Sequence, residues 1–384
     1  MNRWQAPFTY NPRMSRFVHM LILVVVGEMI FSLPFHTARF FRPTLLEAFG
    51  FSNTELGDAF AVYGIVAMLS YFPGGLLADR YPARKLISLS LLTTAAGGLY
   101  MATFPGFVEM SLLYGYWGLT TILFFWAALI RATREWGGQH AQGVAFGILD
   151  GGRGLVAAGV AMVAVTTLSF YLPLEGLLDA ELERRQGLRA VILLYTAATA
   201  VCGVLAWFLL PEPDAPAATG RTRLLDGLTG VLRRPIVWAQ AAIIICAYSA
   251  FKGLDNYSLY AAQVLGLDEV AAARLTAWAS YLRPLAAVLT GFAADRITAS
   301  RAVAIAFAGL LLCYALLAMA SPTAGWLPII YANFFVSFFA AFALRGVYFA
   351  LLQETRTPRH LTGVTVGVIS FIGYTPEIFF APIT

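Results

Sequence analysis

The chain has 384 residues, 59% of them hydrophobic and only 12% charged, with a mean hydropathy of +0.72. A soluble protein carries roughly 25% charged residues, so this composition excludes one and describes a chain threaded repeatedly through a bilayer. The net charge of +5 does not point to nucleic acid, because the basic residues fall in short clusters between apolar runs, where they set membrane orientation.

Apolar runs long enough to cross a hydrocarbon core of roughly 30 Å predict eleven spans: 18–38, 55–78, 86–104, 109–131, 143–172, 187–210, 236–262, 273–294, 302–320, 326–352 and 361–383. Ahead of span 1, Arg3, Arg13 and Arg16 precede a run too long for a signal core and without a cleavage site, so no cleavable signal peptide is expected. Span 1 carries Glu28 about ten residues in, near the expected midplane, and ends in His36, Arg39 and Arg42. Span 2 runs into Gly74-Gly75-Leu76-Leu77-Ala78-Asp79-Arg80, followed by Arg84 and Lys85. Span 4 closes on Arg131 and Arg134. Span 5 contains Asp150-Gly151-Gly152-Arg153-Gly154, with charges at i and i+3 and glycines that admit a close neighbour. Two readings stay open there. One is an internal ion pair with tight helix packing; the other has Arg153 holding an anionic substrate while Asp150 orients it or takes a proton.

The segment 211–235, with Pro211, Pro213, Pro216, Arg221, Arg223, Arg233 and Arg234, is read as a hinge. Span 7 reads Tyr248-Ser249-Ala250-Phe251-Lys252-Gly253-Leu254-Asp255-Asn256-Tyr257, too polar and too broken for a plain lipid-facing helix. Span 8 carries Arg283 before Pro284, span 10 carries Arg345 and span 11 carries Glu377. An ionisable group inside a span costs at least about 2.5–3.5 kcal/mol on insertion scales, so each should face protein or a water-filled path. A mid-span guanidinium such as Arg283 stays charged and can grip a carboxylate or phosphate through two parallel hydrogen bonds, which argues for an anionic or zwitterionic ligand. Glu28 and Glu377 are the expected proton carriers, because burial and a neighbouring cation push a carboxyl's protonation in opposite senses. Cys202, Cys246 and Cys313 lie in separate apolar runs without paired spacing, so neither a disulfide nor a metal site is expected, and no cofactor.

The chain repeats itself. Gly74 to Lys85 recurs as Thr290 to Arg301, with Asp79-Arg80 matched by Asp295-Arg296, at an offset of 216. At the same offset His36 matches Lys252 and Arg39 matches Asp255; at 220, Gly143 to Asp150 matches Gly363 to Ser370, and His140 matches His360. Eleven is an odd count for a duplicated build, and the run ending at Thr384 is read as lacking a twelfth helix. Basic residues including Arg80, Arg84, Lys85, Arg134, Arg233, Arg234, Arg296, Arg301, Arg356 and Arg359 gather on one side, against Glu47, Glu55, Glu109, Glu175, Asp179, Asp268 and Glu269 on the other. The basic side, with the amino terminus, is expected to be cytoplasmic.

The repeated glycine–acid–base turn resembles that of the major facilitator superfamily, whose loop between helices 2 and 3 carries G-x-L-A-D-R-x-G-R-K; Pro82 stands here for the second glycine. The resemblance implies an all-α membrane protein with two pseudo-symmetric bundles, 1–210 and 236–384, joined by a cytoplasmic linker over 211–235. It implies secondary transport by alternating access, not an enzyme. By the same resemblance Asp79, Arg80, Arg84, Asp295 and Arg296 form cytoplasmic gates, with the aspartate pairing Arg131 or Arg134 near the start of span 11. Span 5 loosely resembles that of organophosphate antiporters but lacks their histidine, so their substrate class does not carry over. Span 8 resembles the nitrate branch but lacks its second arginine in span 2. The expectation is a monomeric carrier for a small organic anion or zwitterion, coupled to protons and embedded in the bilayer. Its substrate-binding set is Arg39, Asp150, Arg153, Lys252, Asp255, Asn256, Tyr257 and Arg283. A drug or metabolite exporter is the alternative within transport, weakened by the lack of a Gly-Pro pair in span 5; a transport-inactive membrane sensor is the alternative outside it.

Overall fold

The computed structural model describes residues 16–137, 142–172, 180–211, 230–319, 325–355 and 362–384. Arg3, Arg13, His140, Glu175, Asp179, Pro213, Pro216, Arg221, Arg223, Arg356, His360 and Arg359 lie outside the described residues, as does most of the 211–235 hinge. Every predicted span contains helix. Among the described residues six helices are long and apolar enough to cross a membrane alone, and a seventh if the bent pair Arg16–Met29 and Ser32–Phe40 counts as one span.

The interruptions are local and have causes. Span 1 bends by 43° after Met29 and continues as the π-helical stretch Ser32–His36, which contains Pro34. Proline lacks the N–H that the regular ladder needs, and a wider π turn accommodates the loss. Span 4 has a second π stretch at Thr120–Trp126. Span 7 runs Pro235–Gly253, tightens into a 3₁₀ turn at Leu254–Asn256, and resumes as Tyr257–Gln263. Span 8 is two helices, Glu269–Ser280 and Leu282–Ile297. Pro284 therefore falls in a first turn, where its missing N–H has no intrahelical partner to lose. Span 11 is likewise Thr362–Gly373 and Pro376–Ile383.

The chain forms two compact units: residues 1–37 with 62–218, and residues 38–61 with 219–384. These differ from a simple division into two sequence halves, because the outer end of span 1 and the start of span 2 group with the second unit. In the first unit span 1 packs along span 5, and span 3 along span 6. Small residues permit the closeness of spans 1 and 5: a β-carbon on Gly152 would meet Val24 at 2.7 Å, and one on Gly27 would meet the Arg153 side chain at 3.3 Å. In the second unit span 7 packs along span 11, and span 10 lies against spans 8 and 9. Its interior holds Phe251, Leu254, Phe334, Phe338 and Leu344. The Glu354 carboxylate accepts from the backbone N–H of Ser300, at the start of Ala299–Met319, and the Ser300 hydroxyl holds that carboxyl below the usual carboxylate range.

Candidate functional site: two buried charge clusters

The first unit builds its cluster around Glu28, which is 3% exposed. Arg153 Nε donates to Glu28 Oε2 at 2.9 Å, joining span 5 to span 1. On the other oxygen, His36 Nε2 lies 3.1 Å from Oε1. The Arg153 guanidinium rests against Phe31 and Trp126, with ring centroids 5.5 and 5.9 Å from Cζ. Such cation–π contacts partly replace the hydration a guanidinium gives up on burial. Both aromatic residues border the π stretches of spans 1 and 4, so the irregular turns shape the pocket in which Arg153 sits. Asp150, one turn earlier on span 5, is half-buried.

The second unit builds its cluster on the broken part of span 7. Lys252 Nζ lies 2.8 Å from Asp255 Oδ2 and 3.2 Å from Glu377 Oε1. Asp255 also accepts from Arg39 Nε at 2.5 Å. Glu377 in turn accepts from the Tyr248 hydroxyl. Arg39, Lys252, Asp255 and Glu377 are all buried. Phe251 has two guanidiniums near it, Arg39 with Cζ at 4.6 Å from the ring centroid and Arg345 at 4.1 Å. Lys252 Nζ lies 4.6 Å from the Phe60 ring. The backbone of the 38–61 segment is tied in as well: Ser258 Oγ donates to the Arg39 carbonyl at 2.8 Å, and Arg42 Nε donates to Asn53 Oδ1 at 2.7 Å.

The expected substrate set thus separates. Arg39, Lys252 and Asp255 come together, and Glu377, expected only as a proton carrier, joins them. Arg153 is brought to Glu28, a pairing across spans 1 and 5 that the local Asp150–Arg153 spacing did not suggest. Tyr257 is held in the interior, its hydroxyl donating to Ser337 Oγ at 2.8 Å and its ring 4.5 Å from Phe334. Asn256 is half-buried and donates to Thr384 Oγ1. Arg283 is 6% exposed in the first turn of Leu282–Ile297. Sequence reasoning placed His36 opposite Lys252 in the repeat but did not name it as a site residue. Tyr248, Phe251 and Arg345 were likewise outside the chosen set, although all but Arg345 belong to the polar run of span 7.

Among the expected gate residues, Arg131 donates from Nε to Glu135 at 2.8 Å and from Nη1 to the Ala78 carbonyl at 2.5 Å. Arg131 is thereby tied to Ala78, the residue before Asp79, while the side chains of Asp79 and Asp295 lie outside the described residues. Arg84 stacks near Trp207, and Arg80, Arg134 and Arg296 are exposed.

Comparison with known proteins follows the same line. The family model described as Major Facilitator Superfamily matches residues 24–381. The chain is 27% identical over 378 residues to the inner membrane protein YqcE of Escherichia coli strain K12, spanning 96% of this chain and 86% of that one. It is 30% identical over 277 residues to the "Probable nitrate/nitrite antiporter NarK1" of Thermus thermophilus, covering 71% of this chain and 60% of the relative. Among solved structures, a bacterial homolog of the human lysosomal transporter Spinster superposes with a TM-score of 0.74 at 15% identity, covering 96% of this chain and 80% of that chain. That last likeness is one of fold.

Proposed function

This chain belongs to the Major Facilitator Superfamily and is a multi-pass membrane transporter rather than an enzyme, and from that premise we propose that it carries a small organic anion or zwitterion by alternating access, coupled to protons. The single observation that supports this reading is the burial of five arginine and lysine side chains, Arg39, Arg42, Arg153, Lys252 and Arg283, in helices built for a bilayer. Taking an ion out of water costs several kcal/mol even after relaxation. Four of the five stand at or beside a helix break, and the fifth, Arg153, lies against the aromatic rings of Phe31 and Trp126 at the π stretches. Breaks at matched positions of two repeats are where transporters put their binding groups. Arg283 is the group we assign to the substrate's anionic end, with Arg39, Lys252 and Asp255 forming a second polar face and Asn256 and Tyr257 beside it; Asp150 and Arg153 complete the set.

Proton coupling in this reading runs through the clusters of Glu28 and Glu377. Each joins one repeat's first span to its fifth, span 1 to span 5 and span 7 to span 11. The arginine-bearing turns with Asp79, Arg80, Arg84, Arg131 and Arg134, and with Asp295 and Arg296, act as cytoplasmic gates, and the amino terminus lies on that same side. Nitrate belongs to the Thermus relative's name; here Ala67 stands at the position the repeat matches to Arg283, so the arginine pair of the nitrate branch is not reproduced, and the anionic group we assign is a carboxylate or phosphate on a larger molecule. A thermal-shift screen of the purified protein against a panel of metabolites tests the class, since a ligand that binds only the folded protein raises its melting temperature with concentration. Stabilisation by organic acids or phosphate esters, lost in Arg283→Gln, is the expected result. Stabilisation confined to neutral or cationic compounds would remove the anion reading.

A further inference from the structure

We propose that His36, rather than Glu28, is the proton-binding group of the first unit's cluster, with Glu28 acting as a fixed counter-ion shared between a permanent cation and a switchable one. This inference rests on the proton-coupled reading above but is carried by different observations.

The first is geometry. His36 and Glu28 are eight residues apart, which in an uninterrupted helix separates them by about 12 Å along the axis. The bend after Met29 and the π stretch Ser32–His36 bring the imidazole back to 3.1 Å from the carboxylate. A single-turn π distortion of this kind is costly to keep and is frequent at functional positions. Here, besides accommodating Pro34, it delivers His36 to Glu28.

The second is charge. Arg153 cannot give up its proton, and it sits on one oxygen of Glu28. Protonating Glu28 would replace its charge-assisted bond with Arg153 by a weaker one to a neutral carboxyl. Protonating His36 places the new charge 3.1 Å from an existing carboxylate oxygen, Glu28 Oε1. Imidazole is also the side chain whose ordinary titration spans physiological pH. The proton therefore goes to the ring.

The third is the repeat. His36 matches Lys252 at the offset of 216. Lys252 is bonded to a buried glutamate, Glu377, as His36 is bonded to Glu28. One repeat carries a lysine at this place and the other an imidazole. With His36 neutral, the charges of Glu28 and Arg153 cancel, as do those of Arg39, Lys252, Asp255 and Glu377; protonating His36 leaves the first cluster with one net positive charge. An arriving anion is then favoured by the protonated form, which links the two cargoes by simple electrostatics.

The groups near His36 do not compete for this role. Span 6 presents Tyr195, whose ring centroid lies 6.3 Å from the imidazole. Arg189 on the same helix donates instead to the Ala102 carbonyl. Span 3 meets the π stretch through Gly98 against Leu33, and its charged residues Arg84 and Lys85 lie at the other end of the helix. Span 2 offers Tyr63, edge-to-face with Phe35 and bonded to Thr121. Span 5 contributes Arg153 itself and the half-buried Asp150.

The test is ¹⁵N-histidine NMR of the full chain in lipid nanodiscs; the sequence has only 4 histidines, and the His36 signals are identified by their loss in His36→Gln. On titration through roughly pH 5 to 8, His36 should pass between neutral and doubly protonated forms, and at a fixed mid-range pH its protonated fraction should fall several-fold in Glu28→Gln. A His36 that keeps one form throughout, or whose titration ignores Glu28→Gln, overturns the proposal. Because Glu28→Gln also strips Arg153 of its partner, ¹³C-glutamate carboxyl spectra of the unsubstituted chain provide a second readout. Glu28 should stay ionised over the same range; a Glu28 that takes up the proton while His36 does not is equally fatal. Neither measurement uses substrate, so a failure of the anion-carrier reading and a failure of this one are told apart.

Discussion

Glu28 is the residue on which the first unit's polar interior depends, because it satisfies Arg153 and His36 at once. Removing one partner of a buried ion pair leaves the other uncompensated and typically costs about 3–5 kcal/mol. Glu28→Gln alone, and Arg153→Gln alone, should each lower stability by amounts of that order. The double substitution should cost clearly less than their sum, because neither charge is then stranded, with a coupling of about 1 kcal/mol or more. Thermal or denaturant unfolding in detergent reads this cycle directly, and simple additivity would mean the two side chains do not share their fate. The sequence showed which charges lie within spans but not whom they meet. Asp150 and Arg153, three apart on one helix, left open an internal pair or a substrate hold, and the approach of span 1 over Gly27 and Gly152 brings Arg153 a carboxylate from another helix. Long-range pairing of this kind is set by helix packing, which a local spacing does not encode.

At the scale of elements, the buried charges and the helix breaks coincide. Glu28 and His36 flank the bend of span 1, Lys252 and Asp255 the 3₁₀ turn of span 7, Arg283 the break of span 8 and Glu377 the break of span 11. A broken helix exposes backbone groups that a bilayer cannot satisfy, so such breaks survive only where they face protein or a polar path. Span 7 was legible as discontinuous because its polar residues are consecutive, and Pro284 and Pro376 mark two more interruptions. The π stretch of span 4, Thr120–Trp126, was not legible, since Thr-Thr-Ile-Leu-Phe-Phe-Trp carries no proline or glycine to announce it. Close approach also governs the second unit, where a β-carbon on Gly57 would lie 2.5 Å from the Ala381 carbonyl oxygen. Backbone cannot step aside as a side-chain tip can. Gly57→Val should therefore destabilise by about 1–3 kcal/mol through overpacking. Gly151→Ala, at a position with open space around it, should not. Melting temperatures of the two variants against the unsubstituted protein decide whether the contact is as tight as the geometry requires.

For the whole molecule, composition and the two offset repeats were enough to give the class of fold, because a bilayer admits few ways to arrange long apolar helices and duplication leaves its mark in the turns. The compact units were less predictable. The segment 38–61 belongs by position to the first repeat, yet it groups with the second unit, fixed there by Arg39 on Asp255, Ser258 on the Arg39 carbonyl and Gly57 against Ala381. Which small molecule the protein carries is read from movement across a sealed membrane. The most direct measurement is uptake of candidate organic anions by purified protein in liposomes, with and without an imposed pH gradient, comparing the unsubstituted chain with Arg283→Gln. The account predicts gradient-stimulated uptake that falls at least about tenfold in the variant, the loss expected for about 1.4 kcal/mol of binding energy. Uptake that is indifferent to the gradient and undiminished by Arg283→Gln would contradict it.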